Sequence, residues 1–470
     1  MKSILPPFFK LFLFIASTFS VVGCSSFSTV DYEKFNQPEK DILITNTNVL
    51  SENGEFMLPN QNIYIQNGQI TTITSNPINT TGALIIDGQD KYVIPGLIDS
   101  HVHLQKSEND LLVYLAQGIT HVREMSGNDE HHEWKVDIDN GRAGPSIEVS
   151  SEKISSKSGL WGFINELFWN RINVSGEKEV LNLVESLQVK GYANAKISSD
   201  LSKEMYLEVT QVAKLKGLKI AGHIPSAISF NEFIESSHTE IAHIEELVKI
   251  MNKEFGYFTT ANGHEFLEYV KTRSHKIAKD LKSNHISVGT TYWYMQSIPK
   301  QVHNLPALIN DLDFSFTNPQ RVSEWMPEKN DFAINHAHLK EWWPIFAKAN
   351  ELVLQALIEN DVIILVGTDA MTTLVVPGIS MHQELEALVN AGMSNTQAIR
   401  NATIVPAKWM GEKVGKLSSG YEADLLILNS DPLKDIKATA NINAVVSDGR
   451  LYNRETLKSM LDSVRSKYAN

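Results

Sequence analysis

Two histidines separated by one residue, His101 and His103, lie at the end of the apolar segment VIPGLIDSHVHL, residues 93–104. Side chains alternate along a β-strand, so both imidazoles are expected to point the same way. Two adjacent imidazoles at the end of a buried strand are costly unless a cation lies between them, and neutral imidazole is a common ligand of zinc and related metals. The alternative is a chance pair on the surface, and the rest of the sequence must discriminate between the two.

Four more residues with suitable chemistry lie at or near the carboxyl ends of predicted strands. They are Lys196 in ANAKIS, His223 in LKIAGHIP, His243 in TEIAHIEE and Asp369 in DVIILVGTDA. Each has a simpler explanation: a lone histidine is more often hydrogen-bonded in a core, a lysine extends to solvent, and an aspartate after a strand caps a helix. Six such residues at strand ends nevertheless predict one shared metal site.

The strands that carry these residues follow one another in a regular order. Short apolar segments alternate with helical segments, which is typical of βα units around a parallel sheet. Strands are predicted over residues 93–103, 118–125, 145–151, 193–198, 218–225, 239–246, 285–294 and 361–370. Eight such units predict an α/β fold, the (β/α)8 TIM barrel, whose active site lies at the carboxyl ends of its strands.

The two ends of the chain have a different pattern, in which short strands are joined by turns. One end contains DILITNTNVL and NIYIQNGQITTIT with an Asn-Gly turn, and the other contains ADLLILN and NAVVSDGRLYN with an Asp-Gly turn. Neither end has enough strands to form a core alone. We therefore predict a small composite β-sandwich domain from residues 41–92 and 412–455, a barrel over 93–411, and a C-terminal helix or tail over 456–470.

Composition limits the classes of partner. The 470 residues are 42% hydrophobic and 21% charged, which is typical of a globular protein and not of a disordered one. The formal net charge of −13 disfavours nucleic acid as a partner. No segment after the first 25 residues is apolar for long enough to span a bilayer. We therefore expect contact with a membrane only through the N-terminus.

The N-terminal segment predicts a lipoprotein signal peptide over residues 1–23. Two lysines flank and precede an apolar segment over 11–22 that is too short for a stable membrane span, and the Val-Val-Gly-Cys that follows resembles a bacterial lipobox. Cys24 is the only cysteine in the chain, so it forms no internal disulfide, and we predict that it carries the lipid; the alternative is an ordinary free cysteine. Residues 24–40 would be a tether. Ser25 after the cysteine favours the bacterial outer membrane, with the protein facing the periplasm.

The six strand-end residues and their surroundings resemble the amidohydrolase superfamily, whose first-strand motif is close to PGLIDSHVHL. The run GTDA…HQELEALVNAGMSNTQAIRNATIVPAKWMG…GKLSSGYEADLLILNSDPL is similar to the imidazolonepropionase-like branch, which includes bacterial Xaa-Pro dipeptidases. The resemblance implies two divalent metal ions, and the ligand types suit zinc as well as manganese, cobalt or iron. It assigns one metal to His101, His103 and Asp369, the other to His223 and His243, and the bridge between them to a carboxylated Lys196.

The resemblance also implies a reaction. Two metals that share a hydroxide lower the pKa of the parent water towards neutrality, and the hydroxide attacks a carbonyl carbon. Asp369 would accept the proton and deliver it to the leaving nitrogen. The expected substrate is a small-molecule amide or dipeptide, with Xaa-Pro dipeptides as the leading candidates and other N-acyl or cyclic amides as the alternative.

The sequence is less consistent with two other functional classes. Single-metal deaminases of the superfamily lack the bridging lysine and need a glutamate three residues after the strand-five histidine, where this chain has Ser226. The absence of that glutamate also argues against imidazolonepropionase activity. A non-catalytic, lipid-anchored metal-binding protein has no need of a general base, so the presence of Asp369 argues against it. Relatives in this branch often have a Gly-His pair after strand three, where this chain has EKISSKSGLWG. The relatives' substrate is therefore a weaker guide to the substrate of this chain.

Substrate recognition is expected from loops beyond the strands. Two inserts stand out, residues 247–284 and the tryptophan-rich 293–345, and the second could form a lid or an apolar pocket, or pack a small core of its own. Tyr292 is predicted to reach a substrate carbonyl. Arg123 is predicted to bind a substrate carboxylate, with an ion pair to the neighbouring Glu124 as its alternative.

Overall fold

The computed structural model describes residues 29–157 and 171–469. Two β-sheets organise this part of the chain, one a parallel barrel and the other a mixed sheet built from both ends of the sequence. The predicted signal peptide and Cys24 lie outside the described residues, so lipidation stays a prediction. None of the helices within the described ranges combines the length and the apolar character that a membrane crossing needs.

Within residues 29–157 and 171–469, seventeen strands form the two sheets. In chain order they are β1 (Ile42–Leu50), β2 (Met57–Gln66), β3 (Gln69–Thr74), β4 (Leu84–Asp87), β5 (Tyr92–Pro95), β6 (Leu97–Val102), β7 (Ile119–Glu124), β8 (Ser146–Ser155), β9 (Arg171–Asn173), β10 (Asn194–Ile197), β11 (Lys219–Gly222), β12 (Glu240–Ile241), β13 (Ser287–Gly289), β14 (Ile364–Leu365), β15 (Leu425–Leu428), β16 (Ile442–Ser447) and β17 (Arg450–Asn453).

The barrel consists of eight parallel strands in the order β6, β7, β8, β10, β11, β12, β13 and β14, with the short β9 paired to the end of β8. Residues just beyond β14 close the ring against β6. The backbone nitrogen of Asp369 donates to the carbonyl of His101 (2.8 Å), and that of His103 donates to the carbonyl of Ala370 (3.3 Å). The predicted TIM barrel is confirmed, and its closure brings the ends of the first and last strands together.

The described helices are α1 (Asp110–Ala116), α2 (Asp129–Asp139), α3 (Glu177–Val189), α4 (Lys203–Lys216), α5 (Phe230–Glu235), α6 (Glu245–Phe255), α7 (Gly263–Ser283), α8 (Tyr292–Asn310), α9 (Pro319–Trp325), α10 (Asp331–Asn335), α11 (Trp342–Glu359), α12 (Ile379–Asn390), α13 (Asn395–Asn401), α14 (Ile404–Met410) and α15 (Arg454–Tyr468). Those between barrel strands cover the outside of the barrel. In α4, for example, Ser202 caps the first turn by accepting from the backbone of Met205 (3.3 Å), and Gly217 ends the helix at φ +72°. Its buried face has the 3.6-residue period expected of a helix on a sheet, with Tyr206, Val209 and Ala213.

The second sheet has the order β17, β16, β15, β5, β1, β2 and β3, with β4 paired to β1. Strands from both ends of the chain therefore share one sheet, as the sequence predicted. The strand predicted over 93–103 is in fact two strands, because β5 belongs to this sheet and β6 to the barrel. Gly96 joins them where a Cβ atom would lie 2.1 Å from the Thr120 hydroxyl oxygen, so only glycine fits there. The composite sheet thus extends past the predicted boundary at residue 92.

The two inserts pack against the barrel as helices. Residues 247–284 supply most of α6 and all of α7, while 293–345 supplies most of α8, together with α9 and α10. In the second insert Leu305, Leu308 and Trp325 form a small buried cluster with two residues of the segment after β14, Leu374 and Val376. The insert therefore builds part of a small core of its own; whether it also acts as a lid stays a prediction.

Candidate metal centre

The carboxyl ends of β6, β12 and β14 bring three metal-binding side chains together. The donor atoms of His101, His243 and Asp369 all lie within 4.8 Å of one another, and all three residues are buried. The imidazole Nε2 of His101 is 3.5 Å from Asp369 Oδ1. The Nε2 of His103 is 3.1 Å from the same oxygen. Four of the predicted ligands, on the first, sixth and eighth barrel strands, therefore converge on one point.

The remaining two predicted ligands border the same point. Lys196, at the end of β10, has its Nζ 3.3 Å from His101 Nε2. His223 follows β11, and its ring centroid is 5.0 Å from that of His243. Every predicted ligand therefore lies in one cluster inside the mouth of the barrel.

The polar atoms of this cluster are incompletely satisfied. His101 Nδ1 is buried and has no hydrogen-bond partner among the described residues. Buried polar atoms without a partner are rare in folded proteins. Imidazole nitrogens and a carboxylate oxygen are also the donors that divalent transition metals prefer. The residues present therefore fit a divalent metal centre.

Burial sets the protonation of the histidines. It lowers the pKa of His101 and of His243 well below the ordinary value. It lowers the pKa of His223 to about 4, despite the opposing effect of Glu246. Neutral imidazole is the form that binds metals, so these three side chains hold the required form at neutral pH.

Lys196 is 0% exposed, and burial lowers its pKa to about 7, with the charge of Lys153 acting in the same direction. A substantial fraction of the amine is therefore neutral at physiological pH. A neutral amine is nucleophilic, whereas an ammonium ion is not. The environment of Lys196 thus suits the carboxylation that the superfamily resemblance implies.

The pKa of Asp369 is shifted in favour of the charged form, unlike the pKa values of Lys196, His101, His223 and His243. Burial alone would raise its pKa, but the imidazoles of His101, His103 and His243 outweigh burial and hold the pKa of the carboxyl well below its usual range. Its backbone has φ +59°, a left-handed conformation that is uncommon for residues other than glycine. The carboxylate is therefore ionised and held at a strained position after β14.

Neighbouring residues orient the ligand histidines. Glu246 Oε1 is 3.2 Å from His223 Nδ1, and the Thr291 hydroxyl is 3.1 Å from His243 Nδ1. Each contact engages Nδ1 and leaves Nε2 to face the centre, an arrangement that commonly fixes a metal-binding tautomer. Neither Glu246 nor Thr291 is among the site residues predicted from the sequence. Glu246 had a weak signal, since it lies three residues after His243 in HIEE, but Thr291 had none.

Arg123 does not line this centre. It is 0% exposed, and its guanidinium donates to Glu148 (2.9 Å) and to both oxygens of Glu240 (3.2 and 2.9 Å). The same group lies 4.1 Å from the ring centroid of Trp409. The structure therefore contradicts the prediction that Arg123 binds a substrate carboxylate, because its donors are already committed inside the barrel. Its partners also differ from the predicted Glu124.

Tyr292 begins α8 and does not end a strand, because β13 ends earlier, at Gly289. Burial raises the pKa of its phenol, and the next contribution comes from Glu351 on α11, outside the barrel. For the half-buried Tyr294, burial also raises the pKa, but the next contribution comes from Asp369. The charge of Asp369 therefore acts on Tyr294, while the reach of Tyr292 to a substrate carbonyl stays a prediction.

The sequence of this chain is similar to proteins of the amidohydrolase family. The model of the amidohydrolase family matches residues 176–452, which is more than half of the chain. A dihydroorotase from Trichlorobacter lovleyi is 39% identical over 64 residues, a match that covers 12% of this chain and only 15% of the dihydroorotase.

Solved structures share the fold over almost the whole chain. Bottromycin amidohydrolase has a TM-score of 0.74 at 19% identity, with 93% of this chain and 92% of that chain covered. A putative prolidase from Bifidobacterium longum has a TM-score of 0.64 at 19% identity, covering 91% and 100%. A Xaa-Pro dipeptidase with bound methionine has a TM-score of 0.62 at 20% identity, covering 88% and 100%. At these identities the structures establish the shared fold, and the family match establishes that this chain belongs to the amidohydrolases, hydrolases that act on carbon–nitrogen bonds.

Proposed function

We propose that this protein is a binuclear metal-dependent amidohydrolase that cleaves small dipeptides, with Xaa-Pro dipeptides as the leading substrates. The observation that carries the proposal is the convergence of a buried lysine with histidines and a carboxylate. Lys196 Nζ lies 3.3 Å from His101 Nε2, and His101 lies within the group formed with His243 and Asp369. Carboxylation would convert this lysine into an anionic oxygen ligand, which suits a group of imidazoles and a carboxylate around divalent ions.

The proposed ligand assignment follows the positions of the side chains. His101, His103 and Asp369 would hold one divalent ion, and His223 with His243 would hold the second. A carboxylated Lys196 would contribute to both. Zinc is the proposed metal, because imidazole and carboxylate donors suit it.

The chemistry divides between the metals and the chain. Bound divalent ions would supply a nucleophilic water at neutral pH and polarise the scissile carbonyl. Asp369 would accept the proton of that water, since its carboxyl is held ionised by the surrounding imidazoles. It would then return the proton to the leaving nitrogen. The half-buried Tyr294, whose pKa is raised by burial and then by the charge of Asp369, would donate a hydrogen bond from its phenol to the substrate.

A single-metal deaminase is the main alternative. In that class Lys196 would have no role, and the catalytic glutamate would be expected where this chain has Ser226, which is exposed at the rim. Hydrolysis of another N-acyl or cyclic amide remains the alternative within the binuclear class. The local match to a dihydroorotase makes dihydroorotate the first cyclic amide to test.

Metal content tests the binuclear centre. The full chain in detergent, its Lys196→Ala variant and a control Lys216→Ala variant at the exposed end of α4 would be analysed by mass spectrometry of the bound metals. About two metals per chain, falling only in Lys196→Ala, would support the bridged centre. About one metal, unaffected by either change, would contradict it and favour the deaminase class. Activity would then be assayed on Xaa-Pro dipeptides, N-acetyl amino acids and dihydroorotate.

The proposed location is the bacterial cell envelope, with the protein anchored by lipid on Cys24 to the periplasmic side of the outer membrane. Support comes from the sequence of the first 25 residues alone. Cys24→Ser should move the protein from the membrane fraction to the soluble periplasmic fraction and abolish labelling with radioactive palmitate. Unchanged fractionation of the variant would contradict the anchor.

A further inference from the structure

A second lysine lies beside the proposed bridging lysine. Lys153 on β8 is the residue paired in register with Lys196 on β10. Residues in register on neighbouring parallel strands point to the same face. Since the Lys196 side chain enters the barrel and reaches His101, the Lys153 side chain enters the barrel beside it, at the same end. Lys153 is half-buried, so part of the residue remains accessible to solvent.

Lys153 has no ion-pair partner within residues 29–157 and 171–469. The nearby cations are paired: Lys157 lies 3.2 Å and Arg171 lies 2.7 Å from the carboxylate of Asp200. Lys153 is near enough to Asp369 for that charge to oppose the lowering of its pKa by burial, yet it forms no salt bridge with it. An unpaired, partly desolvated ammonium is unfavourable in a folded protein, and such groups are concentrated at functional sites.

The position of this cation limits what it can bind. Arg123, the other cation that could bind an anionic group of the substrate, already pairs with Glu148 and Glu240. Neighbouring strands are about 4.8 Å apart, so Lys153 lies a few ångströms from the centre marked by Lys196. In a dipeptide the terminal carboxylate is separated from the scissile nitrogen by a single carbon. A carboxylate at that place would therefore come within reach of Lys153.

We propose that the Lys153 ammonium binds the substrate's free carboxylate, next to the scissile bond. The substrates are then acids, such as free dipeptides and N-acyl amino acids, and not their amides or internal peptide bonds. The inference deepens the proposed function and rests on it for the reaction, although not for the binding of the carboxylate.

Two pairs of matched compounds test the inference. Alanyl-proline and alanyl-prolinamide serve as substrates, and acetylproline and acetylprolinamide serve as ligands for calorimetry. Each pair differs only in the terminal carboxylate. The full chain is compared with Lys153→Met, which removes the charge, Lys153→Arg, which keeps it, and the control Lys157→Met on the exposed lysine that follows the same strand. Metal content and the midpoint of thermal unfolding are measured for every variant.

Loss of one charge-assisted hydrogen bond is expected to raise the KM or Kd of a carboxylate ligand about ten- to hundredfold. Lys153→Met should raise the KM for alanyl-proline and the Kd for acetylproline by that factor, with kcat, metal content and acetylprolinamide binding unchanged. Lys153→Arg should recover part of the loss, and Lys157→Met should match the wild type.

Equal losses for the acid and the amide, or a loss of metal in Lys153→Met, would overturn the inference and assign Lys153 to the integrity of the centre. Unchanged KM and Kd would overturn it as well. If the wild type cleaves neither dipeptide nor N-acyl amino acid, the proposed function fails on its own. The calorimetric comparison of acetylproline with its amide then still decides whether Lys153 binds a carboxylate.

Discussion

Replacement of Arg123 by methionine tests whether this buried arginine stabilises the barrel or serves the substrate. The side chain crosses the barrel interior from β7 and joins Glu148 on β8 to Glu240 on β12. Methionine keeps much of the apolar volume and removes the charge. Glu240, whose side chain is 1% exposed, would then be left without its cation.

The expected magnitude follows from the burial of these partners. Removing one member of a buried ion pair typically destabilises a protein by about 3–5 kcal/mol, because the remaining charge is uncompensated. Stacking of Arg123 on Trp409 at 4.1 Å would add about 0.5–2 kcal/mol. Glu148 contributes less, since its side chain is 12% exposed and can be hydrated. We therefore expect Arg123→Met to lose about 3.5–7 kcal/mol in the free energy of unfolding.

Urea unfolding of a double-mutant cycle gives the measurement. Arg123→Met combined with Glu240→Gln removes both charges, so the double variant should be more stable than Arg123→Met alone by about 2 kcal/mol or more. Metal content should stay constant. A loss below about 1 kcal/mol for Arg123→Met, together with a raised KM for a carboxylate substrate, would refute the reasoning and restore the substrate-binding role.

Three further changes have defined outcomes. Asp369→Asn should retain the bound metals and lower kcat by about 10²- to 10⁴-fold, since the general base is lost while an oxygen ligand remains; metal analysis and steady-state kinetics check this. Burial raises the pKa of Asp110 to about 8, above the ordinary value that it has in the unfolded chain, so its contribution to stability is complete below about pH 4 and is lost as pH rises towards 8. Urea unfolding should accordingly find Asp110→Asn more stable than the wild type by up to about 5 kcal/mol at pH 7.5, with little gain at pH 4 and none for the exposed control Glu133→Gln. Gly222→Ala should lower the thermal unfolding midpoint and the metal content, because the residue has φ +130° and its new Cβ would lie 2.5 Å from the carbonyl oxygen of Ile197.

The barrel could be predicted from the sequence because its evidence is local. Each strand is a short apolar segment, and in a parallel barrel the carboxyl ends of all strands meet at one rim. Candidate residues such as Lys196 and His223 could therefore be grouped without knowing any contact between them. The same reasoning could not separate β5 from β6. The apolar segment there is continuous, and only packing of Gly96 against Thr120 reveals that the chain passes from one sheet to the other.

The roles of the aromatic and basic residues depended on long-range pairing and could not be predicted in the same way. Arg123 and Glu240 are 117 positions apart in the sequence, and no local pattern links them. For Tyr292, the apolar segment conceals a change of conformation. Thr291 has φ +47° and directs the chain from β13 into α8, so that Tyr292 begins a helix and does not end a strand.

Buried carboxylates that bind no metal in the proposed assignment explain how the ligand segments hold their shape. Asp99 accepts from the backbone nitrogens of His101 (3.2 Å) and Thr368 (3.0 Å), and so joins β6 to the segment that leads to Asp369. Glu384 accepts from the backbone nitrogens of Tyr292 (2.8 Å) and Trp293 (2.6 Å), at the turn that carries the histidine-orienting hydroxyl.

These contacts are needed because chain segments that leave a strand lose their ladder partners, and buried backbone nitrogens must be satisfied in another way. Burial raises the pKa of both Asp99 and Glu384 to about 7, so each carboxylate is held in place at an electrostatic cost. This loss of folding free energy is consistent with a segment whose position is needed for the metal centre. The ligand geometry is therefore fixed by acids that are not themselves predicted ligands, and this is why the ligand types could be predicted from the sequence while their orientation could not.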